Sequence, residues 1–199
     1  MPSGSRSRFV RGALLTSLFA AAVVGAQNAP RQVTGKVPAH RINELKLAGL
    51  QPGRDSLEKA ERLYKGLGDS PKPEGETVWD DVCRKTSLFI SYDGKRKIET
   101  IRLSRMAGST DADCFDKERP LQTGRGLRLG DHTAKVTQLY GRPNSLSPST
   151  KNGQPLELWY HAFDWAGADV PQVMEVLCTR EADGKAGRVV EITLAAPSL

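Results

Sequence analysis

The stretch 126–143, GLRLGDHTAKVTQLYGRP, carries a complete set of signals for one short helix. Asp131 is a good N-terminal cap, because its carboxylate can accept a hydrogen bond from a backbone N–H of the first turn. Three apolar residues follow at helical spacing: Val136, Leu139 and Tyr140. Gly141 and Pro143 then end the helix. The stretch therefore predicts an amphipathic helix whose single apolar stripe must be buried against another element.

A looser copy of this stretch lies earlier in the chain, in residues 49–68. The pattern Gly-Leu-x-x-Gly occurs at 49–53 and again at 126–130, and Asp55 takes the capping position. An apolar stripe again follows at helical spacing: Leu57, Ala60, Leu63, Tyr64 and Leu67. Gly68 is the predicted stop. The sequence therefore predicts a second helix, offset from the first by 76 positions.

Three strand-like segments follow each predicted helix. In the first half they are Thr77–Cys83, Ser87–Tyr92 and Lys97–Leu103, and in the second half they are Leu156–Trp165, Val173–Arg180 and Arg188–Leu194. The dipeptide Asp-Gly, at 93–94 and again at 183–184, is typical of a tight hairpin turn. We therefore expect an α+β fold of two tandem units, each a helix packed on a three-stranded antiparallel meander sheet.

This interpretation divides the chain into five parts. They are a signal peptide at 1–26, an N-terminal segment at 27–48, repeat unit 1 at 49–103, a linker at 104–125 and repeat unit 2 at 126–199. The linker is rich in glycine, serine, threonine and aspartate, which is typical of a loop.

The order of these signals resembles a known family. Gly-Leu-x-x-Gly, a cap, a helix with Val-x-x-Leu-Tyr-Gly-x-Pro and then a meander resemble the BamE (SmpA/OmlA) family, and the duplicated unit resembles the β-lactamase inhibitory proteins. The first resemblance implies an envelope lipoprotein that takes part in outer-membrane protein assembly, although this chain lacks the lipid-attachment cysteine. The second implies a secreted protein that binds a protein target with the open face of its sheets.

The first 26 residues predict a cleaved export signal. Residues 1–11 are basic, and residues 12–26 run uncharged and apolar to a small-x-small sequence at 24–26. This run of 15 residues is shorter than the ~20 that span a bilayer. An N-terminal membrane anchor or a buried helix is the alternative. We expect cleavage before Gln27 and an extracytoplasmic mature protein, periplasmic or secreted, with no membrane anchor.

The charge is modest once the signal is set aside. The chain has a formal net charge of +6, and three of these charges belong to arginines in the first 26 residues, which hold no acid. No dense block of lysine and arginine follows. We therefore expect no nucleic-acid partner.

The three cysteines predict one disulfide and one free thiol in an oxidising compartment. Cys83 ends the first strand of its meander, and Cys114 follows the third, so the two fall at one edge of the sheet and are the predicted pair. Cys178 alternates with Met174 and Val176 inside a strand and suits a buried position. Pairing of Cys114 with Cys178 is the alternative. Peptide mapping under non-reducing conditions distinguishes the two.

The search for catalytic chemistry finds no matching motif. No Gly-x-Ser-x-Gly elbow occurs, and no histidine stands beside a nucleophile and an acid in a recognisable pattern. His132 is expected to be exposed at a helix start. Asp164 lies three residues from His161, on the opposite face of a strand. We therefore expect no enzyme, and no catalytic, cofactor-binding or metal site.

The segment Leu156–Trp165 has unusual content, because as a strand it would be apolar on both faces. One face would carry four residues: Trp159, His161, Phe163 and Trp165. Either another part of the chain covers this face, or it is an exposed patch for a protein partner, since tryptophan and tyrosine often anchor interfaces. We take these four residues as the candidate protein-binding site.

The leading hypothesis is an exported, non-catalytic protein-binding module, inhibitor-like, that uses the open face of its sheet. The alternative is an envelope assembly or maintenance factor of the BamE type. A third hypothesis, a cell-envelope hydrolase, requires His161 or His132 to meet an acid or a nucleophile in the folded protein.

Overall fold

The computed structural model describes residues 31–32, 42–69, 74–106, 120–163, 167, 170, 173–180 and 186–196. Four predictions made from the sequence lie outside these residues. They are the export signal, the pairing partner Cys114, Trp165 and the second Asp-Gly turn at 183–184.

The described residues form one antiparallel sheet of nine strands. The strands are β1 Arg31–Gln32, β2 Gly68–Asp69, β3 Glu76–Asp81, β4 Thr86–Tyr92, β5 Ile98–Arg105, β6 Ser145–Lys151, β7 Gln154–Ala162, β8 Val173–Arg180 and β9 Ala186–Ala195. Their order across the sheet is β1-β6-β7-β8-β9-β5-β4-β3-β2. The two edge strands have two residues each, so seven longer strands carry the fold.

Two short helices occur in the described residues, α1 at Leu57–Leu63 and α2 at Thr133–Tyr140. Both contribute to one hydrophobic core with the strands, through Leu57 and Ala60 of α1, with Tyr64 directly after it, and through Val136 of α2. Leu63, predicted on the apolar stripe of α1, is instead 39% exposed, because a helix of two turns presents only a narrow face to the sheet. None of the described helices is long and apolar enough to cross a membrane.

The prediction of two tandem helix-plus-three-strand units is wrong. The molecule is mostly β, and its strands belong to one continuous sheet in which β5 pairs with β9, with Leu103 opposite Ile192. The physical reason is that two separate meanders would each end in a strand with unpaired N–H and C=O groups. Pairing β5 with β9 satisfies these groups and joins the two apolar faces into one core.

One of the seven longer strands is absent from the prediction. Strand β6 has the sequence SLSPSTK, whose serines and Pro148 are typical of a loop. Its neighbours are β7 on one side and the two-residue β1 on the other, so it lies near the edge of the sheet, where a proline is tolerated.

The turns before the two helices are built alike, although the predicted caps do not cap. The N-cap residues are Ser56 and His132, and neither makes a side-chain capping bond. Asp55 Oδ2 instead accepts from the backbone N of Gln51 and from Lys59 Nζ. Asp131 Oδ2 accepts in the same way from Arg128 N and Lys135 Nζ. These aspartates therefore close the turn and hold the first helical turn by an ion pair.

The same turns are anchored to the strands. Gly53 N donates to Ile98 O at 2.7 Å, and Gly130 N donates to Val189 O at 2.7 Å. Both glycines have positive φ, of 74° and 86°, a region in which a side chain is strained. The Gly-Leu-x-x-Gly pattern therefore fixes how each helix meets the sheet.

Candidate functional site

The sheet has a closed face, which both described helices cover, and an open face on the opposite side. Trp79 defines the closed face, because its ring lies 5.9 Å from that of Tyr64 in the core. The closed face continues across the seven long strands through residues that are cross-strand neighbours of one another. In order, they are Trp79, Leu88, Leu103, Ile192, Val176, Trp159 and Leu146. Side chains alternate along a strand, so the residues between these belong to the open face.

The predicted binding residues lie on the closed face. Trp159, His161 and Phe163 are 9%, 2% and 1% exposed and are buried within the chain. The ring of Tyr140, in α2, packs edge-on against His161 at 6.0 Å. The interpretation of these three as an exposed patch is therefore wrong, because α2 covers that side of β7. Trp165 lies outside the described residues.

The burial of His161 also bears on the hydrolase hypothesis. Burial lowers the pKa of His161 to about 4, so its imidazole is neutral at physiological pH. Its Nε2 is buried and has no hydrogen-bond partner among the described residues. His132 is exposed at the start of α2. No substrate can reach His161, and within the described part of the chain no group of three histidine, cysteine or acidic residues could hold a metal ion.

A buried polar network holds the segment before α1 against α2. Glu44 is 2% exposed, and Tyr140 donates to its carboxylate from the hydroxyl at 2.6 Å. The backbone N–H groups of Leu45, Lys46 and Arg125 donate to the same carboxylate. Burial and the Glu44 charge raise the pKa of Tyr140. These contacts satisfy the buried charge, so we interpret the network as structural.

The open face carries a row of side chains through the middle of the sheet, all of them partly exposed except the buried Val78. Cross-strand pairing aligns, in order, Val78, Phe89, Arg102, Thr193, Glu175, Tyr160 and Ser145. Neither described helix packs on this row. We call its central part, Phe89, Arg102, Thr193, Glu175 and Tyr160, the open-face row, and we take it as the candidate site.

Phe89 and Arg102 form the best-defined pair of the open-face row. The Arg102 guanidinium carbon lies 4.1 Å from the centre of the Phe89 ring, which is a cation–π arrangement. Arg102 Nη2 also lies 3.6 Å from Glu76 Oε1, while its Nε is buried and has no hydrogen-bond partner in the part of the chain that the structure describes. The ring and the ion pair hold the guanidinium in one place, so a charged, flat group is presented on an apolar support.

Glu175 places a carboxyl group in the same row. Burial raises its pKa above the usual value, and the negative charge of Glu191 raises it further. The carboxylate is therefore partly desolvated and lies near a second negative charge. Such a group gains free energy when a partner supplies a donor or a positive charge.

The hairpin of β6 and β7 curls over one side of the open face. Lys151 Nζ lies 2.6 Å from Ser104 Oγ on β5 and 2.5 Å from Glu191 Oε2 on β9. Three strands separate β6 from β5, so in a flat sheet they would be about 19 Å apart. A lysine cannot span that distance, and the contacts therefore require a strongly curved sheet. The open face is concave as a result.

No single stretch of the sequence points to these residues, because the open-face row spans five strands with one residue from each. A weak signal was present in β4, where Phe89 stands between Ser87 and Ser91 on the otherwise polar side of an alternating strand. A large apolar residue on a polar face is a candidate contact residue.

The structure agrees with the prediction for one of the three cysteines, Cys178. Cys178 is buried and free, and burial raises its pKa to about 12, with a further contribution from Glu157. A free Cys178 does not fit the alternative pairing with Cys114. Cys83 lies exposed in the turn after β3. Its bond to Cys114 stays a prediction.

No family model and no curated protein matches the chain. Among solved structures, a DUF4309-family protein of Bacillus subtilis matches with a TM-score of 0.44 and 12% identity, over 78% of this chain and 88% of that one. A cysteine-rich secretory protein of Staphylococcus aureus matches with a TM-score of 0.40 and 11% identity, over 79% of this chain and 49% of that one.

The structural neighbours also include a suspected β-lactamase inhibitor protein of Streptococcus mutans, with a TM-score of 0.23 and 12% identity, over 75% of this chain and 90% of that one. At TM-scores below 0.5, these three similarities carry no argument about function.

Proposed function

We propose that this protein is a binding module that docks a protein partner on the concave open face of its sheet. The single observation that carries the proposal is the open-face row, in which an aromatic ring, a stacked arginine and a tyrosine stand half-exposed on a face that neither described helix covers. Tyrosine and arginine are enriched among the residues that dominate binding energy, and aromatic residues are enriched in interfaces.

The charges of the row favour a partner with both polar and apolar contacts. Arg102 can donate to a carboxylate or a carbonyl, while Glu175 can accept from an amide or an ammonium group. The rings of Phe89 and Tyr160 add apolar area that a partner can contact. A mixed surface of this kind fits a folded protein better than a membrane or a polyanion, which would require one dominant sign or a continuous apolar patch.

Export is part of the proposal and depends on residues 1–26. If these residues are removed before Gln27, the partner is an extracytoplasmic protein. Intact-mass measurement of the exported protein tests this part separately, and a mass that still includes residues 1–26 would contradict it.

The binding proposal is tested by affinity capture from the extracytoplasmic fraction of the source organism. The wild-type protein should retain a partner, and the Phe89→Ala and Tyr160→Ala variants should each weaken its binding by about 2 kcal/mol or more. Leu63→Ala is the matched control, because Leu63 is an exposed apolar residue on the opposite side of the sheet. The BamE-type alternative makes a different prediction about identity, namely that the captured protein is a component of outer-membrane protein assembly.

One outcome of this binding experiment would contradict the proposal. If Phe89→Ala and Tyr160→Ala bind the captured partner as tightly as Leu63→Ala does, the open face is not the docking surface. Melting curves of all three variants exclude unfolding as the cause of a loss.

A further inference from the structure

A basic cavity of about 530 Å³ lies on the closed side of the sheet, away from the open-face row. Thr86 begins β4, and its cross-strand neighbour Arg105 ends β5; both alternate with core residues, so they point to the helix side. The loop that precedes α2 forms the opposite wall, with Gln122 and Arg128. The size is within the range of small-molecule sites.

The lining is strongly asymmetric in charge. Arg84, Arg105 and Arg128 line the cavity, and no acidic residue is among the described residues that do so. Arg84 Nη1 lies 3.7 Å from Asp81 Oδ2, which offsets part of one charge. Arg105 makes no ion pair with any described residue. The described lining of the cavity therefore carries an excess of positive charge.

Arg128 and Arg105 are exposed, and each has a close neighbour that restricts its guanidinium group. Arg128 Nε donates to Gln122 Oε1 at 2.6 Å. An Nη2 atom of Arg105 lies 3.0 Å from the point where a Cβ on Gly130 would stand, so the bare glycine leaves room for the guanidinium. Gln122 is fixed in turn, because its backbone O accepts from Ala48 N at 2.9 Å. Pre-positioned guanidinium groups lose little entropy when an anion binds.

We propose that this cavity binds a small multivalent oxyanion through Arg84, Arg105 and Arg128. A guanidinium group pairs bidentately with two oxygens of one anion, and three such groups around one cavity require a ligand with several oxygens and more than one negative charge. Phosphate-bearing molecules and small polycarboxylates share this chemistry. The site does not depend on the open face, so its failure and that of the protein-docking proposal are distinguishable.

The test is titration calorimetry of the purified protein with two probes, inorganic pyrophosphate and citrate, at low ionic strength. Added sodium chloride should weaken binding, because exposed charges are screened. Tighter binding of pyrophosphate would assign a phosphate-bearing ligand, and tighter binding of citrate would assign a polycarboxylate. The absence of binding by both probes would overturn the proposal.

The variants separate the cavity from general surface charge. Arg105→Gln combined with Arg128→Gln should weaken binding of the better probe by about tenfold or more, since each loses a bidentate pair. Arg142→Gln removes an exposed arginine that follows α2 and does not line the cavity, and it should change affinity less than about twofold. An equal loss in both proteins would show that the anion binds by net charge alone. Melting curves without ligand confirm that the variants are folded.

Discussion

The closed and open faces are built from alternate residues of the same seven strands, and their side chains differ in burial. On the closed face, Trp159 and Ile192 are buried in a core to which both helices contribute. On the open face, Phe89 and Tyr160 stay half-exposed, and a cation–π contact and a bridging lysine take the place of a covering layer. In one set of strands, the residues that stabilise the fold can therefore lie on one side of the sheet, and the residues that contact a partner can lie on the other. Changes on the closed face should therefore affect folding, and changes on the open face should affect binding.

The largest difference is expected between Trp159→Ala and Phe89→Ala. Trp159 is 9% exposed and packs in the core, so its truncation should lower the free energy of unfolding by about 3–5 kcal/mol. Phe89→Ala loses a half-exposed ring and its contact with Arg102, which should cost about 1 kcal/mol. Urea denaturation of both variants measures the two values, and equal losses would contradict the assignment of the faces.

His161 should make the closed face sensitive to acid. Its pKa is about 4 in the folded protein and has the ordinary value of 6.5 in the unfolded chain, so the unfolded chain binds more protons between these values. The contribution of His161 to the free energy of unfolding should therefore be fully present above pH 6.5. It should be lost as the pH drops towards 4, and the total loss should be about 3 kcal/mol.

The matched variant for this prediction is His161→Phe, which keeps a ring and removes the titrating group. The unfolding free energy of the wild type minus that of the variant should decrease as the pH falls, because only the wild type takes up this proton on unfolding. A difference that stays constant between pH 7.5 and pH 4 would show that His161 is not held neutral by burial.

Glu44 tests the polar part of the closed side. Glu44→Ala removes a buried carboxylate that accepts from three backbone N–H groups and from Tyr140, so it should destabilise the protein by about 3 kcal/mol. Tyr140→Phe removes one of these four donors and should cost about 1 kcal/mol. Glu58→Ala, in an exposed ion pair with Arg96, should have a smaller effect. Thermal melts rank the three variants, and a Glu44→Ala melt that equals Glu58→Ala would argue against the network.

The smallest effect is expected at Glu175 on the open face. Its pKa is raised in the folded protein, so ionisation there is disfavoured and opposes folding above that pKa. Glu175→Gln should therefore raise stability slightly at pH 7 and should lose this advantage at pH 4, where the wild-type carboxyl is protonated. Chemical denaturation at the two pH values measures the change. A loss of stability at pH 7 would indicate that Glu175 has a positive partner within the protein.

Much of the local structure was predictable from the sequence. Short runs of strand-forming residues between turn signals located six of the seven long strands, and strand β8 has the predicted bounds Val173–Arg180. The signals before each helix placed α1 and α2, because glycine and aspartate act on backbone groups within a few residues of themselves. Strand β6 was missed, since its polar sequence has no local preference and its pairing with β7 determines its conformation.

The candidate site was not predictable in the same way. The described residues of the segment Leu156–Trp165, namely 156–163, were correctly separated into two faces, because a strand has a period of two residues. Which face would be covered was decided by the placement of α2, a contact between parts of the chain that are distant in sequence. The open-face row has one residue from each of five strands, and their neighbourhood exists only once the strand order is known.

Contacts within a few residues account for the residues that share a face, for the approximate positions of the helices and for the hairpin at 93–94, and these features were therefore predictable from the sequence. The tertiary structure alone decided that β5 pairs with β9, that one sheet replaces two units and that Phe89 and Tyr160 belong to one concave surface. Long-range strand pairing is selected by the burial of two apolar faces and the satisfaction of free edges together, and neither condition is visible in any single stretch of the chain.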